Sequence, residues 1–178
     1  MNSPKAIQEK IESLVNQWQS ELERYNEDQF IRKPADNSWS IGQVYVHLAG
    51  AAKYFQLKNV ELCVTNKGEE IKGGKKIPGK ISFLLGMFPP VKIKVPASPE
   101  YTPNQPAGKE EVTLMLNEVL ALVKNAVPLV EKSSPSHKTL HPALGSLNAR
   151  EWYELIPMHF KHHLRQKSRL DKFLGVQS

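Results

Sequence analysis

The sequence predicts an all-α fold, a four-helix bundle with one long crossover connection between its second and third helices. Two observations carry this reading. Four segments repeat apolar residues at the helical period, and a stretch rich in proline and glycine separates the second segment from the third. With 178 residues and 40% hydrophobic content, the chain can bury one sizeable core, so a single domain over residues 1–178 is expected.

The first helix is expected over about residues 4–26. Ser3 stands as a cap before Pro4 at the first helical position, and Ile7, Ile11, Leu14, Val15, Trp18, Leu22 and Tyr25 follow at helical spacing. FIRKPADNS reads as a polar connection. The second helix opens on a capping box made by Ser40 and Gln43, with Trp39 and Val44 at the spacing of a hydrophobic staple. Its apolar face is Ile41, Val44, Leu48, Ala51 and Phe55, with an end near residue 65.

Residues 67–108 contain seven prolines and six glycines, which exclude a long helix or a central strand. Within them ISFLLGMF is apolar enough to pack as a short helix or lid over the bundle. The third helix is expected from Lys109 to Lys132, kinked or shortened by Pro128. SSPSHKTLHPALGSL then reads as a connection leading to Asn148 and Glu151, a second cap-like pair that opens the last helix.

That last helix carries the chemistry. At about 100° per residue, Trp152, Leu155, Ile156, His159, His163, Gln166, Leu170 and Phe173 share one face, so three polar residues interrupt a core stripe. Imidazoles four residues apart lie one turn from each other and can reach one ion. His47, at the edge of the buried stripe of the second helix, completes a possible three-histidine site. Three imidazoles leave a divalent metal an open position, the arrangement of catalytic rather than structural centres.

The other histidines have lesser expected roles. His162 points about 80° to 100° away from its neighbours on the wheel, toward the periphery of the site or the surface. Gln166 can hydrogen-bond an imidazole nitrogen or cap the site. His137 and His141 lie near Pro135 and Pro142 in the last connection, where either can line the pocket mouth. Pro157 cannot donate to the carbonyl of Tyr153, and a kink there would tilt the ligands toward the bundle axis.

Composition narrows the functional classes. The net charge is +6, and the lysines at 67, 72, 75, 76, 80, 92 and 94, opposed by Glu69 and Glu70 alone, supply +5 of local charge. Such a segment suits an anionic substrate, a nucleic acid or an anionic membrane surface, or simply a solvated loop. It has no arginine and no regular interleaving of aromatics, which argues against a nucleic-acid groove.

GGKKIPGK lacks the context of a phosphate loop, and Cys63, the one cysteine, reads as a partly buried small hydrophobe. No run approaches the roughly 18 apolar residues of a membrane span, and the N-terminus lacks an apolar signal segment, so a cytoplasmic location is the expectation.

SWSIGQVYVHLA early and HPALGSLNAREW with HFKHHLRQ late resemble the DinB/YfiT-like superfamily of four-helix metal proteins, over nearly the whole chain. The resemblance implies that His47, His159 and His163 bind a divalent metal, zinc or nickel by preference. It further implies homodimers in many members. The activities it implies include hydrolysis and thiol S-transfer with bacillithiol, mycothiol or glutathione. Pro157 and the long basic crossover depart from the commoner pattern.

The first functional expectation is therefore a metal-dependent thiol S-transferase or hydrolase acting on a small molecule. The ion would lower the pKa of a bound thiol or water, and crossover lysines could hold an anionic low-molecular-weight thiol. The alternative is a non-catalytic bundle that binds a ligand or partner, its histidines structural or vestigial. A DNA-associated role, suggested by the isoelectric point of 9.3 and the superfamily's name, is a weaker third.

Overall fold

The computed structural model describes residues 2–65, 73–88 and 102–176. Its elements are α1 (Pro4–Leu22), α2 (Glu27–Ile31), α3 (Ile41–Gly50), a π-helical segment (Ala51–Leu57), α4 (Lys58–Val64), α5 (Ile77–Leu85), α6 (Lys109–Lys132), β1 (Lys138–His141), β2 (Gly145–Asn148) and α7 (Ala149–Leu174). Four rods make the bundle: α1, the continuous run from α3 to α4, α6 and α7. The expected all-α bundle with its crossover is what the chain forms.

Local signals act where their chemistry requires. Ser3 caps α1 through the amide of Ala6 with Pro4 behind it, and Ser40–Gln43 and Asn148–Glu151 each close a reciprocal capping box. The first helix ends at Leu22, short of the expected 26, because Asn26 caps a separate turn, α2, through the amide of Gln29. That turn delivers Phe30 to the core.

α6 and α7 each lie against α1 and against α3–α4, whereas α1 stands across the bundle from α3–α4, and α6 across from α7. Tyrosines bridge both diagonals. Tyr45 donates to the carbonyl of Trp18 at 2.7 Å, and Tyr153 donates to that of Val123 at 2.9 Å. Connections that carry α2 or a hairpin are long enough to reach across, which two-residue turns could not do.

Three expectations are corrected. α6 runs through Pro128 to Lys132 without being shortened, the proline removing only the hydrogen bond to the carbonyl of Lys124. The last connection is not irregular: β1 and β2 pair antiparallel, from Lys138 opposite Asn148 to His141 opposite Gly145. The crossover joins this hairpin. Lys75 bridges Gly145, Lys76 N–H donates to Leu144 O at 2.8 Å, and Ser146 N–H donates to Gly74 O at 3.2 Å.

The third correction concerns register. A straight α-helix through residues 41–65 would bury Phe55, yet the π-helical segment widens one turn, so that Ala52, Gln56, Val60 and Cys63 face inward and Phe55 is partly exposed. Cys63 is buried as expected, its thiol 3.7 Å from the carbonyl of Leu147 and its pKa pushed up by burial.

α6 is also the one helix among the described residues that is long and apolar enough to cross a membrane. Glu118 and Lys124 interrupt it, and Val112, Leu116, Val119, Val123, Ala126 and Val130 are buried in the bundle.

Candidate metal centre

His47 lies on the last full turn of α3, and His159 and His163 lie on successive turns of α7, which runs unbroken through Pro157. The packing of α3 on α7 brings the three together. Their ring centroids form a near-equilateral triangle with sides of 4.7, 4.8 and 4.9 Å. The Nε2 atom of His159 is 3.1 Å from Nε2 of His47 and 3.1 Å from Nε2 of His163.

Those separations are close to the roughly 3.3 Å between ligands on a tetrahedral ion bound at 2.0–2.1 Å. Among the described residues no thiol or carboxylate joins the cluster. Three imidazole donors with an open position therefore fit a divalent ion of borderline softness better than a hard, oxygen-seeking one.

Protonation favours the same use. Burial is the main cause that lowers all three pKa values. His47 falls to about 4 and His163 to about 3, and His159 lies well below the usual imidazole value. Repulsion from neighbouring histidines adds to this for each, from His162 in the case of His47. At neutral pH the three rings are uncharged donors.

Gln166 turns its amide oxygen to His163, so Nδ1–H donates across 2.8 Å and the Nε2 lone pair is left facing the other two rings. His159 has no such support, because its Nδ1 is buried without a partner among the described residues. Trp39 packs on His47 with centroids 5.0 Å apart. That contact is absent from the sequence reading, which used Trp39 only as a staple, although its position two turns before His47 is a usable signal.

His162 stands beside the cluster, its ring perpendicular to that of His163 at 5.3 Å and edge-on to Phe88 at 5.7 Å. With Met87, Phe88, Lys161, Leu164 and Arg165 it lines an open pocket of about 220 Å³. His141 is built into the hairpin instead. Its Nδ1 accepts from the amides of Ala143 and Leu144, both at 3.1 Å, and its ring packs between Phe55 and Trp152. The π-helical segment, which leaves no mark in composition, turns Phe55 toward this hairpin.

His137 does not join the cluster. Of the seven crossover lysines, Lys67, Lys72, Lys92 and Lys94 lie outside the described residues. Lys75 pairs with Glu151, and Lys76 donates to the carbonyl of Pro142, so both serve the hairpin.

A helical bundle with a three-histidine cluster between two of its rods is the class that fold and site define. The chain belongs to the DinB superfamily, whose model matches residues 10–166. It is similar in fold to YfiT from Bacillus subtilis, described as "a probable metal-dependent hydrolase with an unusual four-helix bundle topology". The TM-score is 0.63 at 16% sequence identity, over 98% of this chain and 89% of that one. A search of curated proteins returned no match.

Proposed function

We propose that the protein is a divalent-metal-dependent hydrolase of a small-molecule substrate, with His47, His159 and His163 as the ligands of the ion. The observation that carries this reading is the convergence of three neutral Nε2 atoms with no fourth protein ligand among the described residues. The description of YfiT supports it. When bound, the ion would supply Lewis acidity, activating water and polarising a carbonyl or phosphoryl oxygen.

The chain's own residues would do the rest. Gln166 holds the tautomer of His163, and Trp39 fixes the ring of His47. Lys161 and Arg165, set among Met87, Phe88 and Leu164 beside His162, suit a substrate with an apolar body and an anionic group. Thiol S-transfer shares the metal site, but of the seven lysines of its expected thiol anchor Lys75 and Lys76 serve the hairpin, four lie outside the described residues, and Lys80 on α5 does not line the pocket beside His162. Hydrolysis is therefore the preferred reaction.

The test is elemental analysis of untagged protein beside the His159→Ala variant, followed by a screen of esters, amides and phosphoesters with the metal found. About one zinc or nickel per chain, lost in the variant, and turnover above that of free metal are expected. Metal without turnover would favour the non-catalytic bundle, and absence of uptake would remove the ligand assignment.

A further inference from the structure

α5 is amphipathic in the inverted sense. The residues it buries fully are small, Gly79 and Ser82, with Phe83 partly buried against the core, and a Cβ on Gly79 would come within 2.3 Å of the carbonyl of Leu144. The residues it turns to solvent are large aliphatics. Ile77 is 73% exposed, Ile81 44%, Leu84 85% and Leu85 58%. Their spacing of i, i+4, i+7 and i+8 makes one continuous stripe. The segment packs as the expected short helix through Phe83 and Phe88, but its aliphatic residues face solvent and not the bundle.

Pro78 near the start of α5 and Gly86 at its left-handed C-cap, φ 61°, delimit the helix, and the β-bridge at Lys75 holds its base to the hairpin. The stripe is a held surface. Charge says what it meets. Residues 73–88 contain three lysines and no acidic residue; Lys75 is paired with Glu151, whereas Lys76 and Lys80 are exposed, and in sequence the stretch 67–94 carries seven lysines against two glutamates. A second copy of this face would bring the same positive charge against it, and a nucleic acid has no use for an aliphatic stripe.

We propose that α5 is an interfacial anchor that docks the protein on an anionic membrane surface. Ile77, Ile81, Leu84 and Leu85 enter the headgroup–acyl boundary, and the exposed Lys76 and Lys80 engage acidic headgroups. The inference is independent of the metal reading. It concerns a surface attachment and involves no spanning helix.

The test is sedimentation of the full chain with vesicles of phosphatidylcholine alone or of phosphatidylglycerol and phosphatidylcholine in equal parts. Binding to the anionic vesicles should exceed binding to the neutral ones by at least about tenfold at low salt, and fall as salt rises. Leu84→Ser with Leu85→Ser should weaken it by at least about tenfold. Both side chains are exposed, so the melting temperature should hold. If it does not, Leu84→Ser alone gives the same readout.

No sedimentation with the anionic vesicles, or equal binding by the serine variant, would overturn the proposal. So would a dimer, seen by analytical ultracentrifugation, that the serine variant abolishes while vesicles fail to bind.

Discussion

Replacing Gln166 by leucine tests whether the three-histidine cluster is prepared for a metal or is only a packed polar knot. The amide oxygen accepts from Nδ1–H of His163 at 2.8 Å, and His163 is buried. Leucine leaves that donor without a partner, at a cost of about 1–3 kcal/mol. The ring can escape the cost by moving its proton to Nε2, but that consumes the lone pair the ion requires. Loss of such a supporting partner typically weakens metal affinity about 10- to 100-fold, equivalent to about 1.4–2.8 kcal/mol. The two routes agree in size.

The assay is competition for zinc against a chromogenic chelator at pH 7.5, with circular dichroism to verify the fold. Gln166→Ala, which admits a water to the vacated position, should fall between leucine and the parent, and Gln166→Glu should bind at least as tightly as the parent. Leucine within about twofold of the parent, with helicity intact, would refute the reasoning.

Protonation gives a second prediction. The histidine pKa values are depressed on folding, to about 4 for His47 and His141 and about 3 for His163. The unfolded chain therefore takes up protons first. Stability of the metal-free protein should be full above about pH 6.5 and fall from there toward pH 3–4, by up to about 1.4 kcal/mol per pH unit for each histidine. Melting curves across that range check it, and a flat profile would refute it. Lys167 is buried with Nζ at 2.7 Å from both Glu21 and Asp171, and Asp171 also accepts from Tyr25. Lys167→Met should cost about 3 kcal/mol or more in urea unfolding by stranding Asp171, and a loss under about 1 kcal/mol would contradict that. Gly79→Ala should cost about 1–3 kcal/mol and expose residues 73–88 to proteases, because its Cβ collides with backbone. Unchanged melting and cleavage would show that α5 can shift freely.

What the sequence by itself determined is local and periodic. Ser3, Ser40 and Asn148 announce their helices because a cap is chemistry within four residues, and the α7 stripe from Trp152 to Leu170 is a matter of angle. The stripe also marked His159 and His163 as anomalous in a core, His47 at the edge of the second helix's stripe completed the candidate site, and the resemblance to the DinB family matched all three positions. The four-helix class and the three candidate ligands were legible on that basis.

Tertiary structure decided the rest, for reasons that act between distant segments. The hairpin 138–148 forms because Gly74, Lys75 and Lys76 extend it with hydrogen bonds from a segment more than 60 residues away. The π-helical segment exchanges Phe55 for Gln56 at the core through one widened turn, which periodicity cannot foresee. α5 shows the limit most plainly. Its apolar run reads as buried, but the carbonyl of Leu144 leaves room only for Gly79. The face with Gly79, Ser82 and Phe83 therefore turns inward and the aliphatic face outward, a choice set by the surface available to it.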